Sequence, residues 1–243
     1  TTLVDDAELF IAGYRFFRND RDFRPGKDSQ DVASAERCVD LDPGKCVSPD
    51  ISGGGGCIIY YKEHLNPDLV DSFKVGDCLA IKIECDIGNV IIACVYRSPS
   101  LSQAQNKHLL GKIKRLSIDC ADDELVLVGD LNIAPLAEDV WSTHQLRKVV
   151  SHTDIERDKL TAAINDGGWV DAVRNFYGPD EVLYSWWSYR ARDWQASNRG
   201  RRLDHIWVSA DLKSKVRHVD IMAETRGFEK PSDHVPMIIE LAD

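Results

Sequence analysis

The chain has 243 residues, of which 43% are hydrophobic and 29% charged, and a formal net charge of −10. That length suits one large domain with a sizeable core, so a single domain over residues 1–243 is expected. The acidic balance argues against a protein that merely coats nucleic acid, and no apolar run approaches the ~18 residues of a membrane span.

The first residues carry no basic-then-apolar leader. The apolar, aromatic LFIAGYRFF ends in a charged turn and predicts a short strand near residues 14–18. Asp5, Asp6 and Glu8 read as solvated acids. Residues 22–52 are polar, with Pro25, Gly26, Pro43, Gly44 and Pro49, and read as a loop insertion. Four glycines, residues 53–56, precede CIIYYK. A strand follows them, so they predict a tight turn and not a phosphate loop at a helix start. Residues 78–84 and 89–96 are β-rich runs joined by Asp86-Ile87-Gly88, a hairpin signal that delivers Tyr96 to a strand end. Residues 102–118 read as a helix, with Ser102 and Gln105 as a capping box and Leu109, Leu110, Ile113 and Leu116 as its apolar face.

Seven cysteines is an odd number. Cys57, Cys78, Cys85 and Cys94 lie in strand-like contexts and read as reduced thiols of an intracellular protein. Cys38 and Cys46 lie in the polar insertion, and no CxxC accompanies them, so free thiols are expected there too.

Residues 124–135, ELVLVGDLNIAP, form the centre of the pattern. Leu125, Val126, Leu127 and Val128 suit a strand buried on both faces. Gly129 is expected to break it. Asp130 and Asn132 follow, two apart, and would project together from a strand end. A carboxylate beside an amide suits a hard divalent cation and a phosphate oxygen. The plain alternative is an Asx-turn. Thr153 with Glu156 caps a second helix, whose Ile155, Leu160, Ala163 and Ile164 are expected to face the core. His152, just before it, reads as a cap or core contact. Residues 184–217 hold eight Arg/Lys against three Asp, a net +5, and four of the six Trp. Arg interleaved with aromatics suits a surface that grips phosphates and stacks on bases; the alternative is a solvated basic loop with Trp in the core. RRLDHIWV and PSDHVP each place an Asp beside a His at the edge of a strand-like run.

GDLN, RLDH and SDH, with the Tyr of IACVYRSP, make a hydrolytic set that resembles the exonuclease–endonuclease–phosphatase superfamily. The resemblance implies a DNase I-like α/β fold, a four-layer sandwich of two β-sheets flanked by helices. HTDIER, YSWWSYR and NRGRRLDHIWVS make residues 122–243 look like bacterial exonuclease III and abasic-site endonucleases. AELFIAGYRFFRNDR, GGGGCIIYYKE and NVIIACVYRSPS resemble the endonuclease domain of non-LTR retrotransposons.

What the resemblance implies is a Mg2+ (or Mn2+)-dependent DNA phosphodiesterase. It would cut at abasic sites or trim 3′ ends in DNA repair. Tyr96, Asp130, Asn132, Asp204 and His234 match its catalytic positions. Asp130 would place water, Asn132 would hold a phosphate oxygen, and Asp204 would orient His234. Asp130 and Asp233 match positions at the metal. Trp186, Tyr189, Arg190, Trp194, Asn198, Arg201 and Arg202 are the expected DNA contacts, with Trp186 and Arg201 flanking a pocket for a flipped-out sugar. Related abasic endonucleases often carry an aromatic where this chain has Arg201, so abasic preference is open. The first family strands, with a metal-site Asn and Glu, are not matched. That motivates one alternative, a catalytically impaired DNA-binding module; the retrotransposon likeness motivates another, a DNA nickase. A small-molecule phosphatase is disfavoured by the Arg/Trp loops. DNA is the expected partner of a monomer that binds no membrane. Its location would be cytoplasmic, at the nucleoid, in a bacterium and nuclear in a eukaryote.

Overall fold

The computed structural model describes residues 11–20, 56–70, 73 and 78–242. The expected insertion at 22–52, most of the glycine run, the acids near the start, and Cys38 and Cys46 lie outside them. In chain order the strands are β1 (Tyr14–Asp20), β2 (Gly56–Lys62), β3 (Asp68–Leu69), β4 (Cys78–Cys85), β5 (Gly88–Val95), β6 (Glu124–Asp130), β7 (Trp169–Asp171), β8 (Trp186–Trp187), β9 (Gly200–Arg201), β10 (Asp204–Ser209), β11 (Val216–Ile221) and β12 (Met237–Leu241). The helices are α1 (Gln103–Asp119), α2 (Thr143–Leu146), α3 (Asp154–Asp166), α4 (Ala172–Tyr177) and α5 (Trp194–Ser197).

One six-stranded sheet, in the order β3-β4-β5-β6-β10-β7, forms the centre. The expected hairpin is β4–β5, paired from Cys78↔Val95 to Cys85↔Gly88. β5 and β6 run parallel, and a parallel pair needs a crossover, which α1 supplies. Alternation along these strands decides what each face meets. On one face Ala80, Ile91, Ala93, Leu125, Leu127 and Trp207 pack against Leu110, Ile113 and Leu116 of α1 and Leu160 and Ala163 of α3. On the other, Val126, Ile206 and Val208 meet Val219, Met237 and Ile239 of the β11–β12 ribbon. Leu79 and Ile81 meet Phe17, Cys57 and Ile59 of the β1–β2 ribbon. Among the described residues, the second sheet of the sandwich is therefore built as two separate ribbons.

Both predicted capping boxes are present, Ser102 with Gln105 and Thr153 with Glu156. Ile155 was expected in the core of α3 but is 61% exposed, because it sits in the first turn, off the stripe that carries Leu160 and Ala163. Gly129 does not end β6. The strand runs on to Asp130, and Gly129 takes φ 138° where the Val95 carbonyl crosses so closely that a Cβ would lie 1.9 Å from its oxygen. Cys85, Cys94 and Cys120 are free thiols. No helix among the described residues is long and apolar enough to cross a membrane.

A buried ionic knot ties the end of the sheet to the loop after β6. Arg202 is fully buried; its Nε lies 2.6 Å from Asp139 and an Nη 2.9 Å from Asp171. Asp139 also binds Arg174. Burial alone would raise the Asp139 carboxyl, but the two guanidinium groups outweigh it and hold it below its ordinary range. Arg202 therefore cannot be the DNA contact expected of it. One step along the extended chain turned it inward, where its charge is used up by two carboxylates. His205 is also interior. Its Nε2 donates to the Ile133 carbonyl at 2.8 Å, and burial and the Arg202 charge push its pKa down to about 4.

Two outcomes are expected from this interior. Asp139→Asn, which leaves Arg202 and Arg174 short of a counter-charge, should cost on the order of 3–5 kcal/mol in urea denaturation, and a loss under about 1 kcal/mol would remove the knot as a stabilising element. Because the folded His205 pKa is depressed, its contribution is complete above the unfolded value of about 6.5 and is lost as pH falls towards about 4. Stability should fall by on the order of 3 kcal/mol over that interval, and His205→Gln should flatten the slope.

Candidate active site

The antiparallel pairing of β6 with β10 sets Asp130 directly opposite Asp204. Both side chains point to the ribbon face, at the sheet's rim. The third member comes from the loop before β12. His234 Nδ1 lies 2.8 Å from Asp204 Oδ2, and its Nε2 lies 4.0 Å from Asp130 Oδ2. Asp204 is acceptor-only when ionised, so Nδ1 carries the hydrogen and Nε2 faces Asp130. The three motifs that the sequence pointed to thus meet at one spot.

Asn132 is there as well, by a route that differs from strand alternation. It lies past the strand with φ 49°, and its amide N–H donates to Asp130 Oδ1 at 2.8 Å. That is an Asx-turn, so the plain reading of GDLN and the functional one hold together. The Asn132 Nδ2 donates to the Arg97 carbonyl at 2.9 Å and to Asp130 Oδ2 at 2.7 Å. Two acceptors fix the amide's orientation and consume both its hydrogens. Only Oδ1 is left for a ligand. The expected grip on a phosphate oxygen, itself an acceptor, finds no donor in this arrangement.

Two like charges face each other here, and the electrostatics show it. Burial, then the Asp204 charge, raise the Asp130 carboxyl to about 7, against the lowering effects of His234 and Asn132. For His234, burial works downward, but the hydrogen bond and charge of Asp204, with Asp130 and Asp233, lift its pKa above the ordinary value.

One ligand atom each from Asp130, Asp204 and His234 lies within 4.8 Å of the others, the one such group among the described residues. Two carboxylates and an imidazole suit a divalent cation, and a cation would oppose the burial and the Asp204 repulsion that together raise Asp130. Asp233, also expected at the metal, is outside this group. Its Oδ2 accepts the Trp186 indole N–H at 2.9 Å.

Beside this spot is a pocket of about 540 Å3, lined by Trp141, Trp186, Tyr189, Arg190, Arg199 and Arg201, with Ser188 and Asp233. Trp186 bridges to His234, which joins pocket and acidic pair. The Arg201 guanidinium stacks over Trp186 at 5.3 Å and donates to Ser151 Oγ at 2.7 Å. Arg199 stacks over Trp141 at 4.6 Å. Of the expected contacts, Trp186, Tyr189, Arg190 and Arg201 line the pocket. Trp194 and Asn198 stand behind it. Trp194 meets Trp187 edge-on, and Asn198 Oδ1 accepts the Trp187 indole N–H at 3.0 Å. Tyr96, half-buried after β5, packs on the β1–β2 side.

Sequence reasoning missed the supporting residues. Arg97 is 3% exposed; it reaches Asn106 of α1 at 2.9 Å and Glu156 of α3 at 3.1 Å, and its backbone N–H donates to the Asp130 backbone carbonyl at 2.8 Å. Glu156 also accepts the Ser151 N–H at 2.9 Å. Ser185 and Arg199 lie within the stretches expected to contact DNA, but nothing in the sequence singles them or Trp141 out. The YRSP context around Arg97 was the one available signal. His152 is a core contact as expected, its Nδ1 2.7 Å from the Ala134 carbonyl.

A model of the Endonuclease/Exonuclease/phosphatase family matches residues 4–234. The chain is 37% identical over 115 residues to an exodeoxyribonuclease of Bacillus subtilis, covering 46% of the chain and 42% of that protein. It is 32% identical over 121 residues to exodeoxyribonuclease III of Haemophilus influenzae, covering 48% and 45%. The matched stretch is thus a little under half the length of each relative. The crystal structure of an AP endonuclease from Leishmania major superposes with a TM-score of 0.71, covering 96% of this chain and 73% of that one at 20% identity, a likeness of fold.

If the acidic pair is a cation site, its affinity must depend on the Asp130 proton. Calorimetric Mn2+ binding should weaken as pH falls through about 7, by up to about tenfold per pH unit, with a proton released on binding. Asp130→Asn should weaken binding and remove that dependence; affinity that ignores pH would place the ion elsewhere.

Proposed function

The chain belongs to the Endonuclease/Exonuclease/phosphatase family, and from that premise we propose that it is a divalent-metal-dependent DNA phosphodiesterase of the exonuclease III kind. It acts on DNA as a single domain and a monomer, cutting at abasic sites or trimming 3′ ends, with Mg2+ or Mn2+ as its ion. The observation that carries the reading is the convergence of Asp130, Asp204 and His234 beside an Arg/Trp pocket.

Asp130 and Asp204 would hold the ion through carboxylate oxygens; bound there, it would neutralise the charge that builds on the phosphate's non-bridging oxygens. Asp204 holds the His234 tautomer, as the acid does in hydrolase triads. His234 then presents Nε2 to the phosphate, and its raised pKa favours the charged form that donates to a phosphate oxygen. Asp130 and the free Asn132 Oδ1 accept hydrogen bonds from the attacking water and so orient it. Asp233 adds negative charge near His234 and stiffens Trp186. Tyr96, just past the end of β5, would contact the scissile phosphate.

The pocket divides the DNA-binding work. Trp186 and Tyr189 offer faces to an extruded sugar or base, and Arg190 and Arg201 hold neighbouring phosphates. Trp194 and Asn198 brace the loop. Extrusion is easiest where the base is already lost, which favours abasic substrates on physical grounds.

The test is cleavage of a duplex oligonucleotide carrying one abasic analogue, beside a matched intact duplex and a supercoiled plasmid, with Mg2+, Mn2+ or a chelator. Ion-dependent incision at the lesion, or 3′ trimming, is the expected result. Plasmid nicking alone would turn the reading to a nickase. DNA binding without cleavage in either metal would end the enzyme reading. His234→Ala and Asp130→Ala should each lower kcat by about 10^2–10^4-fold with little change in KM. A loss under about tenfold in both would move the chemistry to other residues.

A further inference from the structure

We propose that Ser185 is a positioning residue for the Asp204–His234 pair. Its side chain is fully buried between β8 and the start of β10. The hydroxyl oxygen accepts two backbone N–H groups, those of Leu203 and Asp204, each at 3.0 Å. A hydroxyl has two lone pairs and one hydrogen. With both lone pairs engaged, the hydrogen has one direction left, and it points at Asp204 Oδ2, 2.7 Å away. That is the same oxygen that holds His234 Nδ1 at 2.8 Å. Ser185 therefore fixes which carboxylate oxygen faces the imidazole and where its lone pairs lie. It leaves the other oxygen, Oδ1, unclaimed by either partner.

The main chain of the same residue completes the clamp. Its N–H donates to the Arg201 carbonyl at 2.9 Å, and its carbonyl accepts the N–H of Val235, next to His234, at 2.9 Å. One buried serine thus binds the carboxylate by its side chain, and the loop of the histidine and the strand of the pocket arginine by its backbone. A residue needed only for packing would require neither a donor nor this direction. A residue that sets the imidazole's angle requires both, because a small misplacement at a reacting centre is costly in rate.

This inference rests on the nuclease reading only for its kinetic arm. Ser185→Ala and Ser185→Cys remove or weaken the donor, and the thiol keeps the volume, so a folding failure of the first does not spoil the second. The expected result is a fall in kcat of about 10–100-fold with KM changed less than about threefold, in chains whose circular dichroism matches the parent. Ser185→Thr, which keeps the hydroxyl, should restore most of that loss. The second arm needs no turnover. In 15N-histidine-labelled protein with the imidazole neutral, the parent should show His234 protonated on Nδ1, and the Ala or Cys variant should show a tautomer mixture. Unchanged kcat in the folded Cys variant, failure of Thr to restore it, or an unchanged tautomer would overturn the proposal. A parent that cuts no DNA yet shows the tautomer shift would sink the nuclease reading and leave the clamp standing.

Discussion

The structure turns on a pairing that electrostatics disfavours. β6 and β10 bring Asp130 and Asp204 face to face, and like charges directly opposite in a sheet are destabilising. Each acid is given its own set of donors. Asp204 takes Ser185 and His234; Asp130 takes the amide and side chain of Asn132. Burial, together with the part of the Asp204 charge that these donors do not offset, appears as the raised Asp130 carboxyl. A fold keeps such a pair where something of opposite charge visits it. The cluster is therefore read as a functional site, and the buried Asp139–Arg202 knot, whose charges are satisfied internally, as structure.

Much of the sandwich serves to hold that pair at its rim. The apolar middle of β6 and β10 is sealed on one face by α1 and α3 and on the other by the β11–β12 ribbon. The strand ends beyond this seal are where polar side chains reach the surface. Arg97 joins the two helices to the Asn132 turn, so the helix layer also fixes the acidic pair.

The basic, Trp-rich stretch divides more sharply than its composition implies. Arg201 lies on the pocket side and stacks on Trp186, while Arg202, its neighbour, is wholly interior. Trp207 is core, Trp187 is nearly so, and Trp186 lines the pocket. Counting arginines in this stretch overstates the cationic surface, since buried acids claim part of the charge.

Taken alone, the sequence determined what neighbours within a few positions decide. Both capping boxes, the β4–β5 hairpin, the apolar run of β6 and the order of the three Asp/His motifs were legible, because spacing and local hydrogen bonds encode them. Gly129 was misread, since the reason for it is the Val95 carbonyl crossing from another strand. Only the tertiary structure decided which Arg of the 201–202 pair faces outward, that Asn132 spends both amide hydrogens inward, that Asp233 binds an indole, and that Ser185 clamps Asp204. These depend on partners up to 63 positions apart, as Arg202 and Asp139 are, and so on strand register and side-chain direction, which local pattern does not specify.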